Sequence, residues 1–149
     1  MTIRTTTPAM LDNPPVPAPA KLAAAWTSFM FCYIYVDYLH LHKPGVIDDL
    51  RAGIVFAFTI SPPLITGFLV LVAIPSVMVV LSMALPPRLN RSTNLVVAAL
   101  YIPVTVFNAV GETWEWAAFY ALSIGVEVLL LVFILRTAWT WPRGLRPAG

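Results

Sequence analysis

Glu127 lies near the middle of an apolar run that extends from residue 114 to residue 137, and it is the only charged side chain at that depth. A carboxyl group in the hydrocarbon region of a membrane costs roughly 2.5 kcal/mol or more by insertion scales. Such a group is therefore usually protonated, bonded to a partner, or part of a pathway. The chemistry that Glu127 offers is reversible binding of a proton or a small cation.

Polar and aromatic side chains recur at helical spacing in three apolar runs. The stripes are Trp26, Phe29, Tyr33, Asp37 and His40 in the first run, Asn94, Tyr101, Thr105 and Asn108 in the third, and Trp116, Tyr120, Ser123 and Glu127 in the fourth. Residues at such intervals share one face of a helix. In a bilayer, polar faces turn toward one another rather than toward lipid. The spacing therefore predicts a polar interior.

A rise of about 1.5 Å per residue, counted from each helix end, places Glu127 in one layer with residues of the other helices. Pro75 should leave the Leu71 carbonyl free, and Pro103 that of Ala99, so that either carbonyl can bond a ligand or be satisfied by a hydroxyl or water. We predict a ligand or proton site formed by Glu127, Tyr101, Tyr120, Ser28, Ser76 and Ser123.

A second group of polar residues is predicted nearer the outer surface. It consists of Asp37, Tyr33, His40, Asn108 and Glu112. Together they would form an acidic vestibule, which attracts cations and protons; the alternative is an ordinary solvated rim. His40 and His42 at i, i+2 do not share a helical face, so we predict neither a metal site nor a cofactor.

Four apolar runs must position these residues. The chain has 149 residues, of which 59% are hydrophobic and 11% are charged, a composition too apolar for a soluble domain. Each run is about the 20 residues that cross a bilayer as a helix. We therefore predict an all-α fold, a four-transmembrane-helix bundle over residues 21–142 in which the lipid bilayer is the first partner. The helices are predicted at 22–41, 62–85, 93–110 and 114–137.

Basic residues predict the orientation of the bundle, because loops rich in Lys and Arg stay in the cytoplasm. Seven of the nine fall on one side of the four helices: Arg4, Lys21, Arg88, Arg91, Arg136, Arg143 and Arg146. Both termini should therefore be cytoplasmic, with residues 1–20 a Pro-rich disordered tail and 143–149 a second tail. A multi-pass protein of the bacterial inner membrane is the default, and the positive charge needs no nucleic acid.

The segment between the first two spans has its own apolar residues at 46–60. Asp48 and Asp49 favour the start of a short helix there. The element could act as a lid over the outer mouth or simply pack against lipid headgroups.

The sequence lacks the motifs that are typical of several enzyme classes. Cys32 is the only cysteine, which excludes the quinone-linked thiol oxidoreductases because they need cysteine pairs. Phosphate loops, zinc-protease motifs and nucleophile elbows are missing as well. We predict that the protein is not an enzyme.

Five short motifs resemble those of a family of small bacterial four-helix membrane proteins of unknown function. They are YIYVD at 33–37, KPGVI at 43–47, AIPS at 73–76, RLNR at 88–91 and ETW at 112–114. The resemblance extends over residues 21–142. It implies a four-helix fold in a bacterial membrane and brings no activity with it.

Two functional hypotheses remain open at this point. In the first, Glu127 is a proton or cation carrier in a protein that moves or binds a small molecule, as a homo-oligomer. In the second, the protein is a structural or regulatory membrane subunit, and protonated Glu127 bonds between helices. Interhelical bonds of this kind contribute about 0.6 to 2 kcal/mol. The hypotheses differ in whether Glu127 changes protonation during function.

Overall fold

The computed structural model describes residues 14–108, 110 and 112–141. Its helices are α1 (Ala18–His40), α2 (Val46–Arg51), α3 (Pro62–Ala84), α4 (Pro87–Phe107) and α5 (Ala117–Trp139), with a 3₁₀ turn at Trp114–Trp116 before α5. Two short antiparallel strands, β1 (Ile54–Val55) and β2 (Phe58–Thr59), form a hairpin after α2. Residues 18–20, predicted as tail, belong to α1, and most of the rest of that tail and all of 143–149 lie outside the described residues.

Proline fixes where three of the long helices begin. α1, α3 and α4 each carry Pro at the first or second helical position, where its fixed φ fits and its missing N–H is not needed. For α4 this residue is Pro87, so the helix starts six residues before the predicted position 93. The predicted loop at 88–91 is therefore the first turn of α4, and the connection from α3 is short.

The four long helices pack together around an aromatic core. α1 lies between α3 and α5, and α4 packs mainly on α5 and less on α3. Trp26, Phe29 and Tyr101 meet edge to face in the centre, with ring centroids 5.7 to 6.2 Å apart. This arrangement brings the polar stripes of α1, α4 and α5 toward one another.

The two ends of the bundle carry different connections. The hairpin end holds α2, the β-hairpin and the 3₁₀ turn, and the turn end holds the α3–α4 connection and the last turn of α5. The segment at 46–60 thus forms a helix of six residues, as expected, followed by a hairpin that the sequence did not predict.

Three helical segments are long and apolar enough to cross a membrane: Ala18–His40, Pro62–Ala84 and Trp114–Trp139. α4 is not among them because polar residues dilute its hydropathy. Three of those polar residues face inward, since Asn90, Asn94 and Thr105 are fully buried. The fold is therefore helical with three apolar candidate spans, and the fourth long helix carries its polar side inside.

Candidate functional site

Glu127 is buried in the interior of the bundle, where its side chain is 1% exposed. It lies on the inward face of α5, which repeats at three- and four-residue intervals through Tyr120, Ser123, Glu127, Leu131, Ile134 and Ala138. Within the described part of the chain, its Oε2 has no hydrogen-bond partner and its carboxyl forms no ion pair. The carboxyl therefore keeps bonding capacity that the protein itself does not use.

Thr105 of α4 lies next to this carboxyl and is itself fully buried. Its Oγ1 interacts with the Glu127 carboxyl, but the two groups form no hydrogen bond of ordinary geometry, and Thr105 Oγ1 has no other partner among the described residues. The charge of Glu127 also acts on the Tyr33 hydroxyl and the Cys32 thiol of α1. An unsatisfied buried polar group costs about 1–3 kcal/mol, so two of them on adjoining helices are unusual. Together a hydroxyl and a carboxyl can hold a proton, a water molecule or a small polar ligand.

The hairpin end is closed by a polar cluster of four side chains, which we call the hairpin-end cluster: His40, Lys43, Glu112 and Tyr120. The Tyr120 hydroxyl donates to Glu112 Oε1 at 2.6 Å, and Lys43 Nζ forms an ion pair with Glu112 Oε2. His40 Nδ1 lies 2.8 Å from the same hydroxyl. Because the hydroxyl proton is given to Glu112, His40 must carry its hydrogen on Nδ1 and donate it.

The Lys43–Glu112 ion pair is largely shielded from solvent. Its side chains are 12% and 16% exposed, and Lys43 Nζ also lies over the rings of Trp116 and Tyr120, 5.3 and 5.2 Å from their centroids. Partial burial by itself would raise the pKa of Glu112. The hydrogen bonds from Lys43 and Tyr120, together with the Lys43 charge, outweigh burial and lower that pKa below its ordinary value.

The five predicted vestibule residues do not form one acidic mouth. Glu112 is compensated by Lys43, His40 bonds Tyr120, and Tyr33 is buried and stacked on a neighbouring ring. Asn108 is half-buried beside Tyr33, and Asp37 is exposed. A charge-balanced cluster thus occupies the end of the bundle where the sequence predicted an acidic entrance, and Asp37 lies near it without an ion pair among the described residues.

The turn end is closed by a fully buried hydrogen-bond network, which we call the turn-end network: Trp26, Ser82, Asn90 and Asn94. Asn94 Oδ1 accepts from Trp26 Nε1 at 2.7 Å and from Ser82 Oγ at 3.3 Å. Asn94 Nδ2 donates to Asn90 Oδ1 at 2.7 Å, and Asn90 Nδ2 donates to the Ser82 carbonyl at 2.6 Å. The network links α1, α3 and α4, so Glu127 lies between two polar closures.

The other predicted ligand-site residues are not brought together around Glu127. Tyr101 donates to the Leu71 carbonyl at 2.7 Å, which is the carbonyl that Pro75 leaves free. Ser76 bonds its own helix at the Val72 carbonyl and is exposed. Ser28 is exposed on a different groove. Counting residues from the helix ends estimates the depth of a side chain along the bundle, but it does not give the direction in which the side chain points.

Tyr120 and Ser123 share the inward face of α5 with Glu127 but use their polar atoms elsewhere. Tyr120 belongs to the hairpin-end cluster, and Ser123 Oγ donates to the Tyr120 carbonyl at 3.2 Å. Seven residues separate Tyr120 from Glu127, which is about 10 Å along the helix. The cluster therefore covers Glu127 rather than bonding it.

Comparison with known proteins identifies the chain's family. Residues 19–145 match a family of unknown function, DUF6326. The chain belongs to that family. The match confirms the predicted resemblance to an uncharacterised family, over nearly the same residues. No curated protein and no solved structure gives a significant match.

Sequence reasoning missed several residues that the structure assigns to these sites. Thr105 stood in the polar stripe of its helix and was not selected for the ligand site, although it lies four residues from Tyr101. Asn90 and Asn94, at i, i+4, carried a detectable signal for a shared helix face. Lys43 offered none, because its partner Glu112 is 69 positions away.

Proposed function

We propose that this DUF6326 protein crosses the membrane four times and binds a proton, a small cation or a small neutral molecule at Glu127, without enzymatic activity. The observation that carries the proposal is the fully buried Glu127 carboxyl beside the Thr105 hydroxyl, with no hydrogen bond of ordinary geometry at Glu127 Oε2 or Thr105 Oγ1 among the described residues. A protein that needed Glu127 only for packing would satisfy both atoms or replace them with apolar groups.

The pattern on α4 supports a fourth membrane crossing. Its 21 residues extend about 31 Å, which matches the hydrocarbon core of a bilayer. Beyond its first two turns its polar side chains are buried while large apolar side chains are exposed: Val96, Leu100, Val106 and Phe107 are 51% to 62% exposed. A helix with its polar face inside and its apolar face outside is suited to lipid rather than to water.

The charges at the two ends support cytoplasmic termini. The turn end carries four basic side chains: Lys21, Arg88, Arg91 and Arg136. Apart from Glu127, the described acidic side chains all lie in the half of the bundle nearer the hairpin end. Basic residues favour the cytoplasmic side. We therefore place the turn end in the cytoplasm, in a bacterial inner membrane.

The surroundings of Glu127 support a resting state in which the carboxyl holds a proton. A buried carboxylate without a cation would have to bear the cost of desolvation alone, and Lys43, at the hairpin-end cluster, is already paired with Glu112. Loss of that proton then requires either a cationic ligand at Glu127 or an opening of one closure that admits water. Binding and release at Glu127 are thus coupled to conformational change.

The second candidate function is a structural or regulatory membrane subunit. It is favoured by the turn-end network and by the bond between Tyr101 and the Leu71 carbonyl, which show that polar side chains already link helices here. In that case Glu127 stays protonated and bonds Thr105 when the helices relax slightly. Glu127→Gln would then be silent, and Glu127→Leu would impair assembly.

An infrared pH titration of the protonated-carboxyl band in nanodiscs tests the proposal. The Glu127→Gln variant assigns the signal, and Glu115→Gln, at an exposed position in the 3₁₀ turn, is the matched control. We expect a band that is lost reversibly as the pH rises, that is absent in Glu127→Gln and that is unchanged in Glu115→Gln. A band that persists at every pH at which the protein stays folded would favour the structural subunit.

Proton flux into proteoliposomes, followed with a pH-sensitive dye, gives a second test. We expect Glu127→Gln to abolish pH-dependent flux while helical content and elution volume stay those of the wild type. Wild-type flux in that variant would refute the role of Glu127 as a carrier.

A further inference from the structure

A groove of about 1000 Å³ runs between α1 and α5 at the turn end. At its mouth, at the turn end, its lining combines the apolar residues 15–18 with three polar side chains, Lys21, Arg136 and Thr137. Its deeper wall is mainly apolar and includes Leu130 and Phe133. The groove is thus amphipathic along its length, and it is separate from Glu127, which does not line it.

The two cations at the mouth are not compensated within the described residues. The ion pairs of the described chain are Lys43–Glu112 and Arg51–Asp48, both at the hairpin end. Lys21 and Arg136 are both exposed, and the described acidic side chains lie in the hairpin half or at mid-bundle. The mouth therefore complements a negatively charged group.

The dimensions of the groove fit the upper part of a lipid. Lys21 and Ser28, both in its lining, are seven residues apart, which is about 10 Å along α1. Arg136 and Leu130 are six residues apart, about 9 Å along α5. One leaflet of the hydrocarbon core is roughly 15 Å thick. The apolar part thus extends over more than half of a leaflet, directly below the two charges.

We propose that this groove binds one anionic phospholipid. The Arg136 guanidinium and the Lys21 ammonium bind the lipid phosphate, for which the planar Arg fork is well suited. Thr137 adds a hydroxyl donor, and an acyl chain lies along Leu130 and Phe133. Basic pockets between helices on the cytoplasmic side of membrane proteins are a known form of lipid recognition, and the occupant follows here from charge complementarity above an apolar wall.

Native mass spectrometry of the full-length protein tests the proposal. The protein is released from nanodiscs that contain phosphatidylglycerol and phosphatidylcholine, and the lipid retained per chain is counted. We expect one tightly retained phosphatidylglycerol. Each cation in contact with the lipid phosphate contributes about a fivefold preference, so Lys21→Gln with Arg136→Gln should weaken retention about 30-fold. Arg88→Gln, a cation of the same end outside the groove, is the matched control and should retain the lipid.

A second variant separates loss of the site from loss of folding. Ser28→Phe leaves both cations in place and fills the apolar part of the groove, so it should weaken lipid retention as well. Circular dichroism and gel filtration measure whether each variant is folded, and only folded variants are compared. Wild-type retention in the double variant, or equal loss in Arg88→Gln, would overturn the proposal. Displacement of the lipid by millimolar inorganic phosphate would overturn it too, because the groove would then recognise the phosphate alone.

Discussion

Removal of one charge from the Lys43–Glu112 ion pair should destabilise the protein far more than removal of a charge from an exposed pair. Fully buried pairs lose about 3–5 kcal/mol when one partner is removed, whereas exposed pairs contribute about 0.2–1 kcal/mol. Because the two side chains are only 12% and 16% exposed, the energetic cost of breaking this pair should be closer to that of a buried pair than to that of an exposed one. We expect Glu112→Gln to lower the free energy of unfolding by about 2 kcal/mol.

Lys43→Met should cost more, about 3 kcal/mol, because it also removes the contacts of the ammonium group with the rings of Trp116 and Tyr120. The double variant should lose about 1–2 kcal/mol less than the sum of the two single variants, since the interaction can be lost only once. SDS-induced unfolding in detergent micelles at neutral pH measures all four proteins of this cycle.

The pH dependence of stability gives an independent readout of the same pair. The pKa of Glu112 is lowered in the folded protein from its ordinary value of 4.5. Its contribution is therefore complete above about pH 4.5 and is lost as the pH falls through the folded-state pKa. Glu112→Gln should show a smaller loss of stability than the wild type over that acidic range.

The ion pair between Arg51 and Asp48 serves as the control, because its side chains are 77% and 81% exposed. Asp48→Asn should change the free energy of unfolding by less than about 1 kcal/mol. A coupling energy between Lys43 and Glu112 as small as that of this exposed pair would refute the inference that the hairpin-end cluster is shielded from solvent. So would a Glu112→Gln variant that is as sensitive to acid as the wild type.

Three further predictions concern the remaining polar contacts. Asn94→Leu should lower the free energy of unfolding by about 2–4 kcal/mol, measured by SDS-induced unfolding, because it leaves several buried groups of the turn-end network unpaired. Tyr101→Phe should cost about 1 kcal/mol in the same assay, and clearly less in a Pro75→Ala background, where the backbone N–H can satisfy the Leu71 carbonyl; equal costs in both backgrounds would contradict this. Trp116→Leu should cost about 1–2 kcal/mol in the wild type and less in a protein without the lysine charge, as a thermal-unfolding cycle would show.

The sequence alone predicted the long helices and the inward position of Glu127. Both follow from local patterns: apolar runs of about 20 residues form helices, and the helical period decides which side chains share a face. The ends of the helices were less well determined: the sequence predicted a loop at 88–91, whereas these residues form the first turn of α4, which begins at Pro87.

Only the tertiary structure decided which polar side chains meet. Lys43 and Glu112 are 69 positions apart, and no periodicity relates two loops that the bundle brings to one end. Counting residues from the helix ends also placed Ser28 in the layer of Glu127, yet Ser28 lies exposed in the groove between α1 and α5 whereas Glu127 is buried in the interior. Periodicity gives the face of one helix, but the partner of that face depends on the rotation and the axial position of its neighbours, and these are set by packing of the whole bundle.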